Sequence, residues 1–231
     1  MATTTIKAAD GGSFSAYVAM PKAGKGPGVL CIQEIFGVNK SMRDIADMWA
    51  AEGYVAVAPD LFWRQEPGVD ITDRTEAEWA KAFELYKGFD ADKGVEDLKA
   101  TLAHMRAMPE CTSKVGTVGF CLGGFLAYMM ACRSDADANV GFYGVGIEGK
   151  LGEAKAIAKP LMLHIAEADK FVPPEAQAKI KEGLAGNPNV TIHTYPGMDH
   201  AFARIGGQPY DRAAADAANG RTAELFKTTL R

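Results

Sequence analysis

The stretch Lys114–Cys132, KVGTVGFCLGGFLAYMMAC, contains the strongest structural signal in the chain. Its first part is an apolar, β-branched run that predicts a buried strand, and the part from Leu122 onward has a helical pattern. The two meet at Gly119–Gly124, GFCLGG, which is a G-x-S-x-G turn with cysteine in the place of serine. Such a turn is tight and strained, so the residues on either side must lack a Cβ atom. The sequence therefore predicts that Cys121 stands above a sheet, between a strand and a helix.

Similar strand and helix patterns alternate along the rest of the chain. Apolar, β-branched runs occur at Ser15–Met20, Gly28–Gln33, Tyr54–Pro59, Lys114–Gly119, Val140–Tyr143, Pro160–Ile165 and Val190–Tyr195. Helical patterns occur at Lys40–Ala51, Glu76–Tyr86, Lys93–Met108, Leu122–Cys132, Pro174–Leu184 and Asp211–Thr228. Several of the runs are apolar at consecutive positions, as strands buried on both faces of a parallel sheet are. We therefore predict one α/β domain over residues 1–231, with a mostly parallel, doubly wound sheet flanked by helices and its working residues at the carboxyl ends of the strands.

The position of Cys121 at a helix N-terminus favours nucleophilic chemistry. Unpaired backbone N–H groups and the helix dipole at such a position stabilise a thiolate or an oxyanion. The alternative is a buried cysteine in a glycine-rich turn of a nucleotide-binding fold. The spacing G-x-C-x-G-G matches neither G-x-G-x-x-G nor G-x-x-x-x-G-K, so the sequence favours a cysteine nucleophile.

Three histidines follow Cys121 and could serve as its base. His164 and His193 lie inside apolar strands, where a histidine usually has both ring nitrogens hydrogen-bonded within the core. His200 follows the last predicted strand in the loop PGMDH, at a carboxyl end. Its alternative is an ordinary surface histidine. The order of nucleophile and histidine in this type of fold favours His200 as the general base.

The acid that would orient His200 is expected just past the strand PLMLHI. Glu167 and Asp169 both lie there, and Asp169 is deeper in the loop that precedes a proline-started helix. Asp169 could also be only a turn or cap residue. Asp199 is adjacent to His200 and is interpreted as a turn residue, because a sequence neighbour seldom reaches the far side of the ring. We predict that Asp169 holds the imidazole tautomer and supports the imidazolium.

Composition excludes several classes of function. The chain is 48% hydrophobic and 23% charged, with a formal net charge of −4 and no basic tract, so we expect no nucleic-acid partner. We see no signal peptide and no apolar run of membrane-spanning length, and we expect a cytoplasmic protein that does not bind membranes. The four cysteines then read as reduced thiols. No metal-ligand cluster and no dinucleotide fingerprint occur, so we expect a small-molecule substrate without cofactor or metal, in a monomer or small homo-oligomer.

Taken together, these motifs resemble the dienelactone hydrolases (carboxymethylenebutenolidases) of the α/β-hydrolase superfamily, over nearly the whole chain. The matching segments are Gln33–Gly37, Pro59–Leu61, Gly119–Gly124, Phe142–Gly144, the Asp169 loop with Val172 and Pro173, and His200–Arg204. The resemblance implies an α/β-hydrolase fold and a Cys121–His200–Asp169 triad. It also implies hydrolysis of an unsaturated lactone that carries a free carboxylate, giving maleylacetate, in the breakdown of chlorinated catechols.

The resemblance also assigns roles to residues around the triad. It implies that the backbone N–H groups of Ile35 and Leu122 hold the oxyanion, and that Glu34 interacts with the resting thiol. A protonated thiol held by a carboxylate is less easily oxidised than a free thiolate. Arg204 would grip the substrate carboxylate, supplying the local cation that an acidic chain needs for an anionic substrate.

Three further residues, Phe36, Trp79 and Tyr143, are expected to contact the substrate. Trp79 is a departure from the family, whose enzymes place a second carboxylate-binding arginine at this position. A tryptophan there makes the pocket more apolar and weaker for anions, unless it is simply a core residue. The nearby cations that could compensate are Arg74, Lys81 and Lys87.

Three functions thus remain open at the level of sequence. The first is a dienelactone hydrolase. The second is a related cysteine-dependent hydrolase of another enol lactone or activated ester, which Trp79 favours. The third is a protein with a hydrolase fold that only binds a ligand or a partner. A complete set of nucleophile, base, acid and oxyanion loop argues against the third.

Overall fold

The computed structural model describes residues 2–231, in two compact units that are divided between Val115 and Gly116. The strands are β1 (Ala2–Lys7), β2 (Ser13–Ala19), β3 (Gly26–Ile32), β4 (Val55–Pro59), β5 (Cys111–Phe120), β6 (Ala138–Phe142), β7 (Leu161–Ala166) and β8 (Val190–Tyr195). The helices are α1 (Lys40–Ala51), α2 (Glu76–Lys87), α3 (Ala91–Ala107), α4 (Leu122–Arg133), α5 (Pro174–Leu184) and α6 (Arg212–Leu230). Strand β5 begins in the first unit and ends in the second.

The first unit combines parallel and antiparallel strands. Strand β3 runs parallel to β4, whereas β2 pairs with β4 and with β1 in antiparallel fashion. The consecutive apolar residues of β4 are all buried, and so are Val29–Ile32 of β3, as expected for strands covered on both faces. Helix α1 packs against β2, β3 and β4, and α3 packs against β1, β3 and β4.

The second unit is built on parallel strands. Strands β5, β6, β7 and β8 pair in that order, with Phe120 opposite Phe142, Phe142 opposite His164, and Ala166 opposite Tyr195. Helix α4 packs on β6 and β7, and α6 packs on β6. Helix α5 packs against a 3₁₀ segment, Ile147–Ala156. Because the strands are parallel, the residues that follow β5, β7 and β8 all leave the sheet at the same edge.

The structure confirms the α/β-hydrolase fold class and the predicted helices and runs, with shifts of a few residues at their ends. Two elements were not predicted. Strand β1, ATTTIK, is mostly polar and pairs on one side with β2, so it lacks the continuous apolar pattern of the inner strands. The segment Ile147–Ala156 has no helical periodicity, and only Ile147 and Ala154 of it are buried. The single-domain organisation stays a prediction.

No helix within residues 2–231 is both long and apolar enough to cross a bilayer. Within the same range, histidine, cysteine, aspartate and glutamate side chains form no group of three or more that could hold a metal ion.

Candidate active site

Cys121 lies at a strained turn between β5 and α4. Its φ is 55° and its ψ is −115°, a conformation that residues with a Cβ atom rarely adopt. A Cβ added at Gly119 would lie 1.9 Å from the carbonyl oxygen of Gly123, and one at Gly124 would lie 2.3 Å from that of Phe142. Because both positions are crowded by backbone, only glycine fits beside the turn. The thiol is half-buried and stands at the N-terminus of α4.

The N-terminus of α4 also supplies hydrogen-bond donors. The amide of Cys121 donates to the carbonyl of Phe142 at 3.1 Å, which fastens the turn to the neighbouring strand. The first N–H groups of a helix, which here include that of Leu122, have no acceptor within the helix. The arrangement therefore presents donors beside the sulfur, as an oxyanion hole requires.

His200 and Asp169 form a buried pair in the loops after β8 and β7. Nδ1 of His200 and Oδ2 of Asp169 are 2.7 Å apart, and only 7% of His200 and 3% of Asp169 are exposed. The other carboxylate oxygen, Oδ1, accepts from the amides of Phe171 at 2.8 Å and Val172 at 3.3 Å. Asp169 is thus a turn residue and the partner of His200 at once. Asp199 accepts a hydrogen bond from the His200 amide at 2.7 Å, so its carboxylate bonds to the backbone next to the imidazole.

The side chains of His200 and Cys121 lie close enough to interact electrostatically. Burial by itself lowers the pKa of the imidazole, but the adjacent Cys121 sulfur and the Asp169 carboxylate outweigh it and raise the pKa of His200 to about 10. The structure therefore brings Cys121, His200 and Asp169 together, with a hydrogen bond between imidazole and carboxylate and an electrostatic interaction between imidazole and sulfur. These interactions favour a protonated imidazole next to the sulfur.

Aromatic rings surround the imidazole. Tyr143 packs edge-to-face on the His200 ring, with centroids 5.0 Å apart, and Phe171 does the same at 4.9 Å. Tyr143 is buried with a φ of 38°, so the backbone adopts an unusual conformation to place this ring. Phe202 is fully buried against Tyr143 at 5.6 Å and Tyr195 at 4.7 Å. These rings fix the imidazole plane and keep water from one side of the His200–Asp169 pair.

The other two candidate histidines have different surroundings. His164 is fully buried in β7, with Nδ1 2.8 Å from the hydroxyl of Tyr195 and Nε2 3.1 Å from that of Thr222. Burial lowers the pKa of His164 to about 3, with smaller effects of His193 and Arg221. His193 lies in β8 and stacks on His164. The prediction that His164 is a core histidine with both ring nitrogens satisfied is therefore confirmed.

In the first unit, the segment after β3 is held by hydrogen bonds that the sequence did not reveal. The side chain of Gln33 accepts from the amide of Leu61 at 3.0 Å and donates to the carbonyl of Glu34 at 3.3 Å. Asp60 accepts from the amides of Phe62 and Gly68, at 3.0 Å and 2.8 Å. Gln33 thereby ties the two segments Gln33–Gly37 and Pro59–Leu61 to each other. In the sequence, the only indication of this contact was that both segments match the dienelactone hydrolase family.

Glu34, Ile35 and Phe36 are all buried, with exposures of 4%, 5% and 2%. Glu34 is thus a buried carboxylate and not a solvated loop residue. The roles predicted for Glu34 at the thiol and for Ile35 at the oxyanion stay predictions.

Trp79 is half-buried on α2 and is part of an aromatic cluster. Its ring packs edge-to-face on Phe36 at 5.1 Å and stacks on Phe83 at 5.5 Å. Its indole N–H donates to the carbonyl of Asp73 at 2.9 Å. Two residues expected to contact the substrate, Phe36 and Trp79, therefore contact each other.

The cations considered as substitutes for a second arginine are not equivalent. Lys81 is paired with Glu66 at 2.6 Å and lies 3.9 Å from Glu84, whereas Arg74 and Lys87 are exposed. Arg204 is 8% exposed, so it is a buried guanidinium and not a surface arginine. Its amide donates to the carbonyl of Ala201 at 2.9 Å, in the turn that follows His200.

Comparison with known proteins agrees with this geometry. The family model described as the dienelactone hydrolase family matches residues 14–230. A protein of Azospirillum brasilense that carries the provisional name carboxymethylenebutenolidase is 55% identical, over 100% of both chains. Carboxymethylenebutenolidase 1 of Cupriavidus pinatubonensis is 39% identical, over 96% of this chain and 94% of its own. A structure from Klebsiella pneumoniae, provisionally titled dienelactone hydrolase, has a TM-score of 0.83 at 25% identity and covers 98% of this chain and 99% of its own.

The protein is accordingly a carboxylic ester hydrolase with the α/β-hydrolase fold. Within that class, the chain belongs to the dienelactone hydrolase family.

Proposed function

We propose that this chain opens an enol lactone of the dienelactone type, giving a product of the maleylacetate type through a thioester on Cys121. The observation that supports the proposal most directly is that His200 hydrogen-bonds to the buried Asp169 carboxylate and interacts electrostatically with Cys121. A thiol, a base and an acid in series constitute the activated nucleophile of covalent catalysis.

In the first half-reaction, the Cys121 sulfur attacks the lactone carbonyl. The carbon–sulfur bond forms, the ring carbon–oxygen bond breaks, and the electron pair of that bond leaves on an enolate oxygen. That oxygen takes the imidazolium proton of His200, which leaves the imidazole neutral for the next step. Conjugation stabilises the enolate, so it departs with less assistance than an alkoxide. The N–H of Leu122 at the start of α4, together with that of Ile35, would hold the tetrahedral oxyanion.

In the second half-reaction, water hydrolyses the thioester. His200 takes a proton from water as the hydroxide adds to the carbonyl, and the Cys121 sulfur departs. Asp169 keeps the imidazole in the required tautomer and stabilises the imidazolium that forms. Glu34, a buried carboxylate, would hold the proton of the resting thiol between turnovers and so protect the sulfur from oxidation. Substrate binding would transfer that proton to Glu34, so that the sulfur attacks as a thiolate.

Trp79 supports a second candidate, a hydrolase of a more apolar enol lactone or activated ester. The indole N–H is already bonded to Asp73, and its ring lies between Phe36 and Phe83. Lys81 is neutralised by Glu66 and so is a weak substitute for an arginine. Arg204 would then be the main cation that recognises a substrate carboxylate. In either case we propose a small-molecule substrate, without nucleic acid, membrane, cofactor or metal.

The two candidates differ in the substrate that is turned over. The purified protein is assayed on cis-dienelactone and on p-nitrophenyl acetate, with and without iodoacetamide. We expect thiol-sensitive turnover of the dienelactone. Turnover of the simple ester alone supports the second candidate, and the absence of thiol-sensitive turnover of either overturns both.

Iodoacetamide could also reach Cys111 and Cys132, which are half-buried. The double variant Cys111→Ala, Cys132→Ala is therefore assayed in parallel. If its turnover is still lost on alkylation, the sensitive thiol is Cys121 or the fully buried Cys31, and burial protects the latter.

A further inference from the structure

Phe171 is an unusual residue in the second unit, because it contacts a buried catalytic candidate and yet is open to solvent. Its ring centroid lies 4.9 Å from that of His200, while 47% of its surface is exposed. Its amide donates to Asp169 at 2.8 Å, so the backbone that presents the ring is fixed by the same carboxylate that holds the imidazole. No motif in the sequence gives Phe171 a role.

The two aromatic rings that contact the His200 imidazole, Tyr143 and Phe171, differ in their exposure to solvent. Tyr143 is 2% exposed and is backed by the fully buried Phe202, so it offers little accessible surface beside the imidazole. Phe171 offers the accessible aromatic surface next to the imidazole. A group that exchanges a proton with His200 must come within hydrogen-bond reach of that ring. It therefore comes alongside Phe171.

We propose that the exposed surface of Phe171 is the leaving-group subsite, and that it selects planar, conjugated leaving groups such as enols and aryl alcohols. The proposal rests on the proposed function. As the carbon–sulfur bond forms and the carbon–oxygen bond breaks, the imidazolium proton goes to the departing oxygen. The conjugated carbons attached to that oxygen stack on the phenyl ring. A saturated group of similar size gains contact area there, but no favourable interaction between π systems.

The test compares two acetate esters whose leaving groups have similar acidity but different shape. Phenyl acetate has a planar leaving group, and hexafluoroisopropyl acetate has a saturated one. We measure kcat/KM for both esters with the native protein, Phe171→Leu, Phe171→Ala and Ile205→Ala. Phe171→Leu keeps an apolar side chain of similar bulk, so it controls for loss of packing. Ile205, which is 72% exposed in the loop that carries His200, is the matched control for loss of an exposed apolar side chain.

We expect the ratio of kcat/KM for phenyl acetate over hexafluoroisopropyl acetate to fall about two- to tenfold in both Phe171 variants, the range of an aromatic pair contact. The Ile205→Ala ratio should equal that of the native protein. An unchanged ratio in Phe171→Leu, with turnover of both esters intact, overturns the subsite. Loss of thiol-sensitive turnover of both esters in the native protein overturns the proposed function instead, so the two failures are distinguishable.

Discussion

Two buried histidines of the second unit show that, where burial is similar, the neighbouring groups decide what an imidazole does. His164 is 0% exposed and lies in β7, and His200 is 7% exposed and follows the adjacent parallel strand β8. His164 contacts two neutral hydroxyl groups, and its pKa is lowered to about 3 by burial. His200 is also desolvated, but Cys121 and Asp169 raise its pKa to about 10. Near neutral pH the first is therefore a fixed neutral hydrogen-bonding group, whereas the second carries the charge that a nucleophilic sulfur requires.

Removing the Cys121 sulfur should have the largest effect on activity, because it takes away the group that distinguishes His200 from His164. Cys121→Ala deletes both the nucleophile and the largest effect that raises the pKa of His200. We expect kcat to fall about 10⁵- to 10⁶-fold, as it does when one member of a cooperating catalytic group is lost. The measurement is single-turnover and steady-state kinetics on the better of the two substrates.

Cys111→Ala and Cys132→Ala are the matched controls, since they remove half-buried thiols elsewhere in the chain. Both should retain native turnover. Equal loss from all three variants would mean that the fold has collapsed, and Cys121 would lose its assignment.

Replacing the acid tests the other partner of His200. Asp169→Asn keeps the shape of the side chain but replaces a carboxylate oxygen 2.7 Å from Nδ1. The pKa of His200 should decrease, and the tautomer should be less well held, so we expect kcat to fall about 10³- to 10⁴-fold. The imidazole titration is followed by NMR and compared with the pH profile of kcat.

Glu167→Gln, a substitution at an exposed carboxylate two residues earlier, is the control and should be neutral. If Asp169→Asn leaves both the rate and the titration unchanged, the contrast between the two histidines cannot arise from their partners.

The sequence predicted much of the contrast between His164 and His200, because a residue inside a parallel strand usually packs in the core and one after its carboxyl end often has a function. His164 and His193 were assigned to strands and His200 to a carboxyl-end loop, and the structure agrees. The choice of Asp169 over Glu167 depended only on depth in the loop. Phe171 could not have been found, because its contact with His200 joins two loops about 30 residues apart, and no local pattern records that.

The direction of each pKa shift could not be predicted from the sequence either. The sequence shows which groups titrate, whereas their pKa values depend on distances to a few atoms and on the water that has been removed. For His164, those atoms belong to Tyr195 and Thr222, neither of which had been considered.

Arg204 is a buried cation four residues after His200. Replacing it tests whether its charge acts on the substrate or on the imidazole. We expect Arg204→Ala to raise KM for a carboxylate-bearing lactone by about tenfold to a hundredfold, the usual worth of a charged hydrogen bond. KM for a neutral ester should change little, and the pH profile should keep its position. Equal effects on both substrates would remove Arg204 from the binding role.

The smallest expected effect concerns His164 and appears in stability instead of rate. His164→Gln leaves the Tyr195 and Thr222 hydroxyls with altered partners inside the core, at a cost of about 1–3 kcal/mol near neutral pH. Turnover per folded molecule should not change, because Cys121, His200 and Asp169 keep their contacts. Urea unfolding at several pH values gives the free energy of unfolding for the variant and for the native protein.

The difference in free energy of unfolding between the native protein and a His→Gln variant should change with pH in opposite directions for His164 and His200. The folded-state pKa of His164, about 3, lies below the unfolded value of 6.5, so the unfolded chain binds the extra proton between these values. Native stability therefore decreases as the pH falls from about 6.5, and the gap between native and His164→Gln should narrow in acid. The folded-state pKa of His200 is raised to about 10, so its contribution is present below about 6.5 and is lost as the pH rises toward 10. The gap between native and His200→Gln should accordingly narrow in alkali. If both gaps moved in the same direction, the two imidazoles would not have the opposite protonation states on which the proposed chemistry depends.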